Sequence, residues 1–246
     1  MKNIEVCLTP ALLDLYGVEG KVVVVVDILR ATSCMTTGLA HGVKSIIPVA
    51  SLDECSILKS KGLIAAAERD GKMADGFDIG NSPFSYMDKN LVGKSVAMTT
   101  TNGTQAISKS LKAEQIIIGS FLNKTVVINY LLKQSRDILV LCAGWKGQVN
   151  LEDTLFAGAI VEGLKDEFFS ENDSAMTAYT LYQAAKGDLS KFLSNSSHAR
   201  RLRKLNIIKD IEFCLQSDVY DVIPVLKKGE LVKMEMLEAV EGIAIK

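Results

Sequence analysis

Five consecutive valines, Val22 to Val26, run through Asp27 and Ile28 into Arg30-Ala31-Thr32-Ser33. β-branched side chains crowd a helical turn and pack well on a pleated surface, so Val22 to Ile28 predicts a strand. The run is apolar at every position, with no in-out alternation, which is the pattern of a strand covered by helices on both faces. From Ala31 to His41 the spacing suits a helix, with Thr32 or Ser33 placed to cap it.

The same unit recurs. Ser45 to Val49 precedes Leu52 to Lys61, Ser95 to Met98 precedes Gly103 to Leu111, Gln115 to Ile118 precedes Lys124 to Lys133, and Asp137 to Leu141 precedes Leu151 to Phe168. Leu63 to Ala67 is a further short strand, followed by a polar stretch from Glu68 to Pro83 that is too long for an ordinary connection. Strands alternating with helices predict an α/β fold with a largely parallel sheet and helices on both faces. Beyond Glu171 the pattern changes to short helices at Ala175 to Ala185, Leu189 to Asn195, Ala199 to Leu205 and Ile208 to Leu215. Val222 to Leu226 and Leu231 to Met236, around Lys228-Gly229, read as a hairpin. With 246 residues and no internal repeat or Pro/Gly-rich linker, one domain over 1–246 with a helical insertion at about 171–216 is expected.

A net charge of −1 argues against a nucleic-acid partner, which would call for a basic excess or stripe, and only Arg200-Arg201-Leu202-Arg203-Lys204 is locally basic. The N-terminus has no signal pattern and no apolar run approaches the ~20 residues of a membrane helix. Five scattered cysteines, an odd number without CxxC spacing, point to a reducing compartment. A cytoplasmic enzyme acting on a small anionic substrate, away from membranes and compatible with a homo-oligomer, fits these bounds.

Ligands of open α/β sheets bind beyond the carboxyl ends of the strands, and here those ends carry polar residues suited to a polyanion beside a metal. Asp27, at a strand end, can bind a metal or attack phosphorus, while Arg30 and the helix-end N–H groups can hold phosphate oxygens. Thr99-Thr100-Thr101-Asn102-Gly103-Thr104 offers hydroxyl and amide donors to an anion, or else simply caps the helix after it. It lacks Walker and dinucleotide spacing, which disfavours a nucleotide. Glu152 and Asp153 open a helix, and adjacent side chains diverge by about 100°, so one can be a metal ligand and the other a cap. His198 beside Arg201 suits a general acid and an anion clamp, and Glu68-Arg69-Asp70-Gly71 suits an arginine with an acidic orienter; a charged surface would account for both equally well. Cys142 lacks the arginine of a CX5R loop, with Gln148 in its place, and reads as a small buried cysteine.

Taken in order, VVVDILRATS, AERDG, GFDIGNSP, TTTNGT, CAGWKGQVNLEDTLFAGAI and SSHARRL resemble the 2-phosphosulfolactate phosphatase family, from Val24 to Pro224. The resemblance implies a three-layer α/β/α fold and a Mg2+-dependent phosphatase that converts 2-phospho-3-sulfolactate to 3-sulfolactate and phosphate, a step associated with coenzyme M biosynthesis. On that reading Asp27, Arg30 and His198 are catalytic. Arg69, Asn81, Ser82, Thr100, Thr101, Asn102, Gly103, Thr104 and Arg201 bind the substrate. Mg2+ prefers oxygen ligands and keeps waters, so Asp27, Glu68, Glu152 and Asp153, with Asp78 as a further carboxylate, supply more than enough ligands. Competing expectations are a related phosphorylated 2-hydroxy acid as substrate, a cysteine-dependent transferase using Cys142, and a non-catalytic binder of small organic anions.

Overall fold

The computed structural model describes residues 2–170 and 172–235. Its strands are β1 (Lys2–Cys7), β2 (Val22–Val26), β3 (Ser45–Pro48), β4 (Ile64–Arg69), β5 (Lys72–Met73), β6 (Ser95–Thr99), β7 (Gln115–Gly119), β8 (Ile138–Cys142), β9 (Phe168–Phe169), β10 (Pro224–Lys227) and β11 (Glu230–Lys233). They form one mixed sheet in the order β5-β4-β6-β3-β11-β10-β7-β2-β8-β1-β9. The helices are α1 (Ala31–Ala40), α2 (Leu52–Ser60), α3 (Gly103–Lys109), α4 (Lys124–Leu132), α5 (Leu151–Leu164), α6 (Asp173–Ala185), α7 (Leu189–Leu193), α8 (Ser197–Lys204) and α9 (Ile208–Cys214). The architecture is three-layer α/β/α.

The valine run explains the layering. Val22, Val24 and Val26 join one core with Phe156 and Ile160 of α5, whereas Val23 and Val25 join another with Met35 and Leu39 of α1 and Ile107 of α3. All five valines are fully buried, each worth roughly 1.5 kcal/mol or more. On the far side, Ala65 and Ala97 pack with Cys55 of α2. Their small side chains leave Cys55 Sγ 3.5 Å from the Ala97 carbonyl oxygen.

The sheet has two parallel blocks, β4-β6-β3 and β7-β2-β8-β1-β9. Between them lies the C-terminal hairpin, β11 antiparallel to β3 and β10 antiparallel to β7. Three antiparallel junctions in succession make the two blocks run in opposite senses. The predicted hairpin is present, although its expected end at Met236 lies outside the described residues. Several boundaries shift. β2 ends at Val26 rather than Ile28, because Asp27 and Ile28 spend their backbone groups on Thr32 and Asp153. α5 stops at Leu164, freeing Phe168–Phe169 to pair with Lys2 and Asn3. β4 extends through Arg69, so Glu68 and Arg69 sit on a strand end instead of in the loop. Strand β1 has no counterpart in the sequence reading.

Candidate active site

Asp27 leaves β2 beside the first turn of α1 and is anchored there by Thr32. The Thr32 hydroxyl accepts from the Asp27 N–H at 3.1 Å, and the Asp27 carbonyl oxygen accepts from the Thr32 N–H at 3.0 Å. The carboxylate is buried against α3 because residue 103 is glycine. A Cβ there would lie 2.7 Å from Ala31 Cβ and 2.9 Å from Asp27 Oδ2. Burial pushes the Asp27 carboxyl up to about 6; His198 opposes that rise, while Glu68 and Glu152 add to it.

Glu152 and Asp153 do diverge as helix geometry requires. Asp153 accepts from Ile28 N–H at 2.9 Å through one oxygen and from Gly144 N–H at 3.1 Å through the other, tying the loop after β2 to the loop after β8. Burial, reinforced by Glu152 and Asp27, holds its carboxyl well above the usual range. Glu152 Oε1 accepts a hydrogen bond from His198 Nδ1–H at 2.5 Å. Asn150 Nδ2 stands 3.4 Å from the same nitrogen, and the shorter contact to the carboxylate decides the tautomer. His198 Nε2 is left to exchange a proton. The other Glu152 oxygen is buried without a hydrogen-bond partner among the described residues.

Arg30 is buried at the same cleft. It donates to Asp210 at 2.6 Å and to the Gly71 carbonyl at 2.9 Å, and Ser82 donates to the other Asp210 oxygen at 3.0 Å. Glu68 accepts from Gly71 N–H at 2.5 Å and from Thr101 N–H and Oγ1 at 3.4 Å, linking the AERDG and TTTNGT segments. Arg201 lays its guanidinium 3.8 Å above the Trp145 ring, where burial lowers its pKa against the pull of Glu152, Glu68 and Asp70.

One cleft therefore gathers Asp27, Arg30, Glu68, His198 and Arg201, with Asn81, Thr101 and Asn102 on its wall. Asn81 Oδ1 is buried and unpartnered among the described residues. Other sequence-predicted residues stand behind it. Thr100 and Thr104 spend their hydroxyls on each other's backbone N–H groups at 3.2–3.3 Å, closing the turn as helix-capping residues do. Arg69 reaches the Glu68 carbonyl and Thr99 Oγ1, bracing strand ends outside the cleft lining. Ser82 supports Asp210. Asp78 is held by Lys59 at 2.7 Å and by the Ala65 N–H, away from the cleft. Asp210, Asn150 and Trp145 were not singled out as site residues in the sequence. The single tryptophan, inside the CAGWKG segment, was the one available signal.

An α/β/α scaffold with buried carboxylates, a carboxylate-oriented imidazole and arginines around one cleft defines an enzyme built for phosphate-ester chemistry. The model of a family described as 2-phosphosulpholactate phosphatase matches residues 7–229. A protein of Thermotoga petrophila named probable 2-phosphosulfolactate phosphatase is 39% identical over 218 residues, 89% of this chain and 94% of its own. Proteins with the same name from Caldanaerobacter subterraneus, 40% identical over 85% of this chain and 89% of its own, and Clostridium perfringens, 34% identical over 99% of both, agree. The chain belongs to the 2-phosphosulpholactate phosphatase family, a family of phosphoric monoester hydrolases. Among the described residues no helix is long and apolar enough to cross a membrane.

Proposed function

We propose that the protein hydrolyses 2-phospho-3-sulfolactate to 3-sulfolactate and phosphate with the help of Mg2+. The observation that carries this reading is the convergence of Asp27 with the Glu152-oriented His198 and the Asp210-held Arg30 in one buried cleft. Arg30 binds the oxygens of the transferred phosphoryl group, and Arg201 the substrate carboxylate, each through a planar fork of donors. Asp27 stands at phosphorus. The ester P–O bond breaks, and the departing alkoxide takes its proton from His198 Nε2, while Glu152 stabilises the imidazolium beforehand. A water oxygen takes the alkoxide's place on phosphorus, and the proton that the water gives up returns His198 to the imidazolium.

The donors fit a hard cation. Glu152 presents a buried, unpartnered carboxylate oxygen, and Asp27 lies close enough for Glu152 to raise its pKa. No three His, Cys, Asp or Glu side chains form a ligand set among the described residues, and Mg2+ ordinarily needs only one or two carboxylates with waters and phosphate oxygens. Asp27 and Glu152 would hold it, with Glu68 near; Asp153 has both oxygens committed to backbone N–H groups. Bound there, the ion would neutralise charge on the phosphoryl oxygens. Cys142 is a poor nucleophile for the alternative chemistry, being fully buried with its thiol pushed well above the ordinary value. The test is phosphate release from 2-phosphosulfolactate and 2-phospholactate with and without Mg2+. Metal-dependent release is expected, and its absence on every phosphorylated 2-hydroxy acid would refute the reading.

A further inference from the structure

The catalytic cleft is small. It leaves about 30 Å3 of free space, room for roughly two waters. An ester carrying phosphate, carboxylate and sulfonate must extend beyond it. On the other side of Thr101 and Asn102, which line both spaces, lies a second cavity of about 270 Å3. The two differ in charge. The cleft mixes Asp27 and Glu68 with its cations, whereas Lys109 and Lys146, together with Gln105, line the second cavity with no carboxylate among its lining residues.

The loop that presents Lys146 is built for display. Trp145 and Gln148 exchange backbone hydrogen bonds at 2.9 and 3.0 Å, and the two residues between them, Lys146 and Gly147, have φ of 50° and 79°. Positive φ at both central positions is the geometry of a type I′ hairpin turn. Lysine pays strain for that conformation where glycine or asparagine would not. The Lys146 N–H also donates to Asn102 Oδ1 at 3.3 Å, which orients the Asn102 amide so that its NH2 remains a donor at the wall between the cavities.

We propose that this second cavity is the subsite for the substrate's sulfonate, held by Lys109 and Lys146 with Gln105 and Asn102 as neutral donors. The proposal rests on the phosphatase reading above. In 2-phospho-3-sulfolactate the sulfonate is one carbon farther from the ester oxygen than the carboxylate is, so it is the anion that reaches past the Thr101-Asn102 wall. Three sulfonate oxygens suit compact ammonium charges, whereas the planar carboxylate suits the Arg201 fork. Asp70, 3.3 Å from Lys146 Nζ, is an exposed partner that solvent screens and an incoming anion can displace.

The experiment compares a Lys109→Ala/Lys146→Ala double variant with the unmodified enzyme on 2-phosphosulfolactate, 2-phospholactate and phenyl phosphate. The expected result is a fall in kcat/KM of at least tenfold on 2-phosphosulfolactate, mainly in KM, with changes within about threefold on the other two. Inhibition by 3-sulfolactate should weaken in parallel, and inhibition by inorganic phosphate should not. Asp70→Asn should act in the opposite direction, lowering KM for 2-phosphosulfolactate more than for 2-phospholactate. Equal losses on all three substrates, or no loss on any, would overturn the subsite while leaving the phosphatase reading intact. An unmodified enzyme that hydrolyses none of the three would overturn that reading, and the subsite with it.

Discussion

At the residue scale, Asp27 sets activity against stability. Its carboxyl titrates near 6 when folded and near 3.8 in an unperturbed chain, so the folded state holds the proton more tightly. For an acid with a raised pKa the sign is clear: in the metal-free protein Asp27 contributes stability at low pH that is lost as pH rises from about 4 through 6. The shift of about two units amounts to about 3 kcal/mol. Asp27→Asn, isosteric and never charged, should therefore raise the denaturation midpoint of the metal-free protein at pH 8, and by less at pH 4.5. The same variant should lose several orders of magnitude in kcat. A destabilised variant at pH 8, or near-normal turnover, would contradict the assignment. Asp210 belongs at this scale too. Its bond to Arg30 spans 180 residues of sequence, and no local motif surrounds it, which is why only the fold reveals it. Asp210→Asn keeps the shape but weakens a buried charge-assisted bond, so kcat should fall about tenfold or more, and pairing it with Arg30→Ala should add little further loss.

Among the elements, α8 delivers two functional side chains at once. Ser196 caps it by accepting from the Ala199 N–H at 3.1 Å, and His198 and Arg201, three residues apart, share the face that covers the cleft. Arg201→Ala should cost roughly 1.5–3 kcal/mol in kcat/KM on carboxylate-bearing esters and less on phenyl phosphate. Because Arg201 stacks on the chain's one tryptophan, intrinsic fluorescence reports directly on the contact. Emission should change on adding 2-phospholactate to the unmodified enzyme, and Arg201→Ala should largely lose that response. Most elements were legible in the sequence because burial on both faces, β-branching and capping residues are local signals. Val22–Val26 and α1 fall within a residue or two of expectation. What the sequence did not disclose was which of several hydroxyls face the cleft: Thr101 does, whereas Thr100 and Thr104 close their own turn, and composition cannot distinguish those fates.

The molecule as a whole depends on the β10-β11 hairpin. It was readable as a hairpin, but its position between two opposed parallel blocks depends on pairings such as Leu231 with Ile46 and Val225 with Ile117, which no nearby residue announces. Leu231 is fully buried in the core shared by both blocks. Leu231→Ala should destabilise the fold by about 2–5 kcal/mol. Since Asp27 and Arg30 follow β2 while Glu68 lies at the end of β4 and Thr101 follows β6 in the other block, activity should fade along the same denaturant curve that reports unfolding. Activity that outlasts the structural transition would show that the cleft forms without the hairpin.

That hairpin comes after both blocks in the chain yet fills the gap between them. During synthesis on a ribosome, the strands bearing Asp27, Glu68 and Thr101 emerge long before the segment that joins their two blocks. The cleft is then among the last parts of the molecule to be assembled, and a nascent chain interrupted between Cys214 and Pro224 should carry every motif residue and still hydrolyse nothing.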